Sequence, residues 1–155
     1  MPEFKHSTID ELPTRCVSNH EGYEYIRRAF IHRSEAKQCV VNIFEIPPHK
    51  SAFPYHYHHK NEETFYIISG EGILRTPQGE RTVKAGDLLF FPANANGAHK
   101  LTNSSDTEPL VYLDFDTMNE IDVTTYPDSD KIAIWGTDTN RVFRNADQVN
   151  YYDGE

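Results

Sequence analysis

From Tyr25 to Phe115 the chain is a succession of short runs rich in β-branched and aromatic residues, each closed by glycine, proline or a polar cluster. That pattern predicts antiparallel strands joined by tight turns. The runs fall at 25–32, 38–46, 63–69, 72–76, 81–83, 88–91, 99–102 and 110–115, and none sustains the period of a long helix. Ser34 to Lys37, Pro77 to Glu80 and Asn103 to Pro109 supply the polar connections. Alternation along these strands turns Phe65, Ile67, Leu74, Leu88 and Phe90 inward. It turns Tyr25, Val41, Ile43, Tyr55, Tyr57, Tyr66 and Ile68 outward.

The flanks read differently. Thr8 and Glu11 have capping-box spacing, but Pro13 limits the segment to one helical turn. After Thr117 the chain is polar up to a turn at 126–130, and 132–136 then reads as buried. Val142, Phe143, Val149, Tyr151 and Tyr152 are too apolar for a solvated tail, so the C-terminus is expected to dock on the barrel or on a partner. Many short strands in 155 residues argue for an all-β sandwich or barrel in one domain, with a core at about 25–116 and an extension at about 117–155.

Charge narrows the function classes. Twenty-four acidic against fifteen basic residues give a net charge of −9, which repels nucleic acid and anionic membrane surfaces. The one basic cluster, Arg27 and Arg28 with Arg33, is small. Cys16 and Cys39 form neither a metal-type Cys-x-x-Cys nor a disulfide framework. The N-terminus lacks the apolar run of a signal peptide, and no stretch approaches the ~20 apolar residues of a membrane span, so a cytoplasmic location is expected.

The candidate chemistry lies between Pro54 and Gly72. His56 and His58 are two apart, which on a strand places both imidazoles on one face. Lys60-Asn61-Glu62 reads as a turn, after which Glu63 opens the next strand and folds back beside them. His59 and Glu62 alternate away. Gly70, seven residues beyond Glu63, completes the pattern His56-x-His58-x4-Glu63-x6-Gly70. Downstream, Gly86-x5-Pro92 and His99-x3-Asn103 follow in order.

Together these two segments resemble the paired motifs of the cupin superfamily over residues 40–116. Lys50 stands where the first motif opens with glycine, the turn there being set by Pro47-Pro48. In the second, Asn94 takes a glycine position, where asparagine tolerates a left-handed turn, and two extra residues precede His99. The resemblance implies a jelly-roll barrel (double-stranded β-helix) with His99 as a fourth ligand. Three imidazoles and a carboxylate suit a divalent Fe, Mn, Ni, Zn, Cu or Co ion, and an octahedral ion would keep two positions open. The implied function is dioxygenase-like or isomerase/lyase-like work on a small, polar or anionic, metal-chelating molecule; the alternative is a non-catalytic ligand-binding module. A general base in the pocket would discriminate, and the sequence identifies none. The outward apolar residues predict a two-fold homodimer.

Overall fold

The computed structural model describes residues 3–136 and 138–155. A 3-10 turn at Ile9–Glu11 is capped as its spacing predicts, the Glu11 carboxylate accepting from the Thr8 N–H at 2.9 Å. Thirteen strands follow among the described residues: β1 (Thr14–His20), β2 (Tyr23–Ile31), β3 (Cys39–Ile46), β4 (Tyr57–His58), β5 (Glu63–Ser69), β6 (Glu71–Thr76) and β7 (Gly79–Lys84), then β8 (Leu88–Phe91), β9 (Lys100–Asn103), β10 (Leu110–Thr117), β11 (Ile121–Tyr126), β12 (Lys131–Gly136) and β13 (Asn140–Arg144). No described helix is long and apolar enough to cross a membrane.

The strands form an all-β jelly roll. A six-stranded sheet runs β1-β2-β3-β10-β5-β8 and a three-stranded one β7-β6-β9. Between them lies one apolar cluster containing Phe44, Ile46, Phe65, Ile67, Leu74, Val83, Leu101, Leu110 and Tyr112. Alternation explains its membership: on β5, Glu63, Phe65 and Ile67 are buried while Thr64, Tyr66 and Ile68 turn away. Asn103 holds the two sheets in register from within, its amide donating to the Ile46 carbonyl at 2.8 Å and the Glu108 carbonyl at 2.9 Å. At Gly70, between β5 and β6, φ is +81° and a Cβ would lie 2.4 Å from the Pro109 carbonyl oxygen, so only glycine fits.

Several facings differ from those expected. Leu88 and Phe90 are exposed, at 73% and 60%, while Leu89 and Phe91 face the core. Register decides this, because Glu63 pairs with Phe91 and Phe65 with Leu89, and directly opposed residues share a face. Tyr25 turns inward and packs on Phe44 and Phe53, at ring separations of 5.4 and 5.3 Å. Tyr55 is buried beneath the Arg75 guanidinium, 4.0 Å above its ring. Ile43 alternates away from Phe44 yet is buried too. Tyr66 is exposed, and Val41, Tyr57 and Ile68 are half-buried.

Pairing also reaches beyond the predicted runs. β1 extends the large sheet on the N-terminal side, and the C-terminal extension forms a third sheet in the order β13-β12-β11-β4. A bidentate Arg75–Asp128 pair ties the turn before β12 to β6. Beyond Arg144 the expected docking is not met within the chain: Val149, Tyr151 and Tyr152 are 74–89% exposed.

Candidate metal centre

Four side chains meet at one end of the barrel. His56 lies just before β4, His58 ends it, Glu63 begins β5 and His99 precedes β9. His56 and His99 exchange backbone hydrogen bonds, 3.1 and 2.9 Å, so a two-residue bridge fixes both at once. The Glu63 carboxylate lies 3.9 Å from His56 Nε2, 3.6 Å from His58 Nε2 and 3.3 Å from His99 Nε2. The donor atoms of His56, His58 and Glu63 all lie within 4.8 Å of one another. His59 faces outward and meets Thr125 Oγ1 at 2.9 Å.

Each imidazole has its other nitrogen committed. His56 Nδ1 donates to the Pro54 carbonyl at 2.8 Å and His99 Nδ1 to the Gly97 carbonyl at 2.9 Å. His58 Nδ1 donates to the Asp122 carboxylate, with Thr124 Oγ1 at 3.1 Å. Such bonds fix the tautomer that leaves Nε2 free to ligate. His99 Nε2 is buried without a hydrogen-bond partner. An orphaned ring nitrogen beside a carboxylate, in a set of three imidazoles and one carboxylate, fits a borderline divalent ion.

The loop before His99 is built differently from expectation. Asn94 is extended, at φ −171°, rather than left-handed, and its side chain accepts from the Asn96 N–H at 2.8 Å to start the 3-10 turn Ala95–Gly97. The glycine that this loop needs is Gly97, where a Cβ would sit 2.0 Å from the Pro92 carbonyl oxygen.

The sequence did not reveal Asp122. It is fully buried on β11, and its second oxygen accepts the Lys60 N–H at 2.8 Å. Trp135 Nε1 donates to Thr124 Oγ1 at 2.9 Å, completing a brace from the C-terminal sheet to His58. Nor did it reveal Asp114 and Asp116 on β10, which form with Glu63 a second group of carboxylates within 4.8 Å. Asn42 Nδ2 donates to one Asp114 oxygen at 3.3 Å, while the other, and one of Asp116, lack partners. Asn42, Glu63, Asp114 and Asp116 line a cavity of about 290 Å³ together with His56 and His58.

Burial shapes the protonation states. It depresses His56, with help from His99, to about 4, and lowers His99. For His58 burial acts in the same direction, but the Asp122 and Glu63 carboxylates outweigh it and push the imidazole up to about 10. Burial would raise Glu63, yet the imidazoles, His99 foremost, hold it at about 2. Burial and the neighbouring Glu63 push Asp114 up to about 7.

A family model of the cupin domain matches residues 42–116. The chain is similar to the oxalate-binding protein of Thermotoga maritima, 26% identical over 104 residues that span 65% of this chain and 85% of that one. It is 30% identical over 89 residues to an uncharacterized protein of Methanocaldococcus jannaschii, spanning 57% and 69% of the two chains. Among solved structures, that of a proposed sugar phosphate isomerase from Acidithiobacillus ferrooxidans superposes with a TM-score of 0.80 at 25% identity, over 91% of this chain and 90% of that one.

Proposed function

The chain belongs to the cupin superfamily, and we propose that His56, His58, Glu63 and His99 hold one divalent ion beside which a small chelating molecule is bound and isomerised or cleaved by proton movement. The observation that carries this reading is the convergence of three imidazole Nε2 atoms on one carboxylate, each with its Nδ1 already committed. A bound ion would act as a Lewis acid on a carbonyl or hydroxyl of the molecule. Asp114 and Asp116 add carboxyl oxygens without partners in the same cavity, positioned to exchange a proton with the held molecule. The named relatives support small anionic ligands: one is described as handling sugar phosphates, another as binding oxalate. The second name favours the alternative, a binding module without catalysis.

Protein purified without added metal, offered sugar phosphates and keto acids in deuterated water, separates these readings. Carbon-bound hydrogen exchange without oxygen uptake supports the proposal. Oxygen uptake replaces it with a dioxygenase, and ligand binding with neither leaves a binding module.

Metal binding is expected to release about one proton at pH 7, because only His58 among the three imidazoles is protonated there and a ligand must be neutral. Affinity therefore rises with pH towards about 10, and falls further below about 4 as His56 also takes a proton. Calorimetry in buffers of different ionisation enthalpy reads the proton count; a value of zero contradicts the site.

We further infer a homodimer. Leu88 pairs with Tyr66 and Phe90 with Thr64 on the outer face of the large sheet, with Phe115 across the same row, giving an exposed apolar patch at the β8 edge. Light scattering is expected to give twice the mass of one chain at micromolar concentration, and the mass of a single chain would refute the dimer.

A further inference from the structure

Arg27 and Arg33 line the same cavity as His56 and His58. Arg27 is opposite the inward Phe44 on β3, so it points to the barrel side of β2, whereas its neighbour Arg28 points away and pairs with Glu45 at 2.9 Å. Arg33 follows the end of β2, at the rim formed with Asp116 and Thr117. Both are only partly exposed. Among the described residues no carboxylate oxygen lies within 4.0 Å of either guanidinium, although Lys5, Arg28 and Arg75 each have an acidic partner.

Acids outnumber bases in this chain, 24 to 15. Neither half-buried guanidinium is clamped by a direct ion pair, although Arg33 is near enough to Asp116 to oppose the upward push that burial gives its carboxyl, so both forks are free to take a ligand. The fork of a guanidinium matches a carboxylate or a phosphate bidentately. The oxygens of Asp114 and Asp116 that lack partners in the same wall are able to accept hydrogen bonds from ligand hydroxyl groups. At about 290 Å³ the cavity is near the lower end of the ~300–1,000 Å³ range of small-molecule sites.

Building on the metal-site reading above, we propose that Arg27 and Arg33 receive the anionic group of a small hydroxylated ligand whose other end chelates the ion. The ligand class is a sugar phosphate or a sugar acid, the shared feature being a polyol with an anionic terminus.

Calorimetry on the metal-loaded protein with a hexose, its 6-phosphate and the corresponding hexuronate tests this. At least one anionic sugar is expected to bind about tenfold or more tightly than the free hexose, in line with charge-assisted hydrogen bonds. A preference for the phosphate or for the hexuronate identifies which anion the pair serves. Arg27→Gln and Arg33→Gln are expected to erase the preference, and Arg27→Lys and Arg33→Lys, which keep the charge and lose the fork, to restore part of it. Metal content, measured on the same samples, is expected to stay unchanged in all four variants. No anionic preference, or a preference that survives both glutamine substitutions, overturns the proposal. The same titrations on chelator-treated protein separate the two assignments, since an arginine-dependent anionic preference that persists there supports the arginine subsite even where no ion is bound.

Discussion

Alanine at His56, His58 or Glu63 is expected to strip the divalent ion from the purified protein. Each substitution removes either an imidazole that faces the Glu63 carboxylate or that carboxylate itself, and opens the gap to water from the adjoining cavity. The loss in affinity is expected to exceed the ~10–100-fold typical of outer hydrogen-bonding partners. His99→Ala is expected to do the same, since its buried Nε2 lies 3.3 Å from Glu63 and has no other partner. Elemental analysis at matched protein concentration reads the result. Unchanged metal content in any two of the first three variants would remove the assignment, and retention in the His99 variant alone would reduce the site to three ligands.

The second large effect is expected from Gly97→Ala. The added methyl carbon would lie 2.0 Å from the Pro92 carbonyl oxygen and 3.0 Å from the Pro92 backbone nitrogen and carbonyl carbon, all atoms that a side-chain rotation cannot move. Overpacking costs typically ~1–3 kcal/mol, and a clash against rigid proline backbone is expected at or above the top of that range. At ~2–4 °C per kcal/mol for a chain of this size, the melting temperature is expected to fall by roughly 6–12 °C. His99 hangs from this loop through its Nδ1 bond to the Gly97 carbonyl, so metal affinity should fall with stability. Val83→Ala, in the core cluster, is the control: if it lowers metal affinity as much at equal loss of stability, the loop has no special role in placing His99.

Residues 56–63 were legible because their chemistry coincides with strand periodicity. An i, i+2 histidine pair and a carboxylate after a short polar turn leave little choice of face. The run Leu88 to Phe91 carries no such signal, because four consecutive apolar residues alternate with nothing, and their facing comes only from the register with Glu63. Asp114 and Asp116 were readable in principle: Leu110 and Tyr112 are inward, and stepping on by two reaches both acids. They escape notice because an inward strand face is expected to be apolar, and here its last third is acidic to serve the cavity. Asp122 and Thr124 invert the rule in the same way on β11, with the apolar Val123 between them only half-buried less deeply than either. Nothing local marks β1 or β13, whose mixed polar sequences become strands through the partners they meet.

His58 and Asp122 are 64 residues apart. Closing so long a loop is entropically slow and is repaid only when β11 and β12 are in place. On a ribosome, residues 56, 58, 63 and 99 emerge before the strands that orient one of them, so the imidazole of His58 is free to turn until the C-terminal sheet arrives. If the proposed ion is bound, its capture would therefore be a late event, timed by the completion of the third sheet.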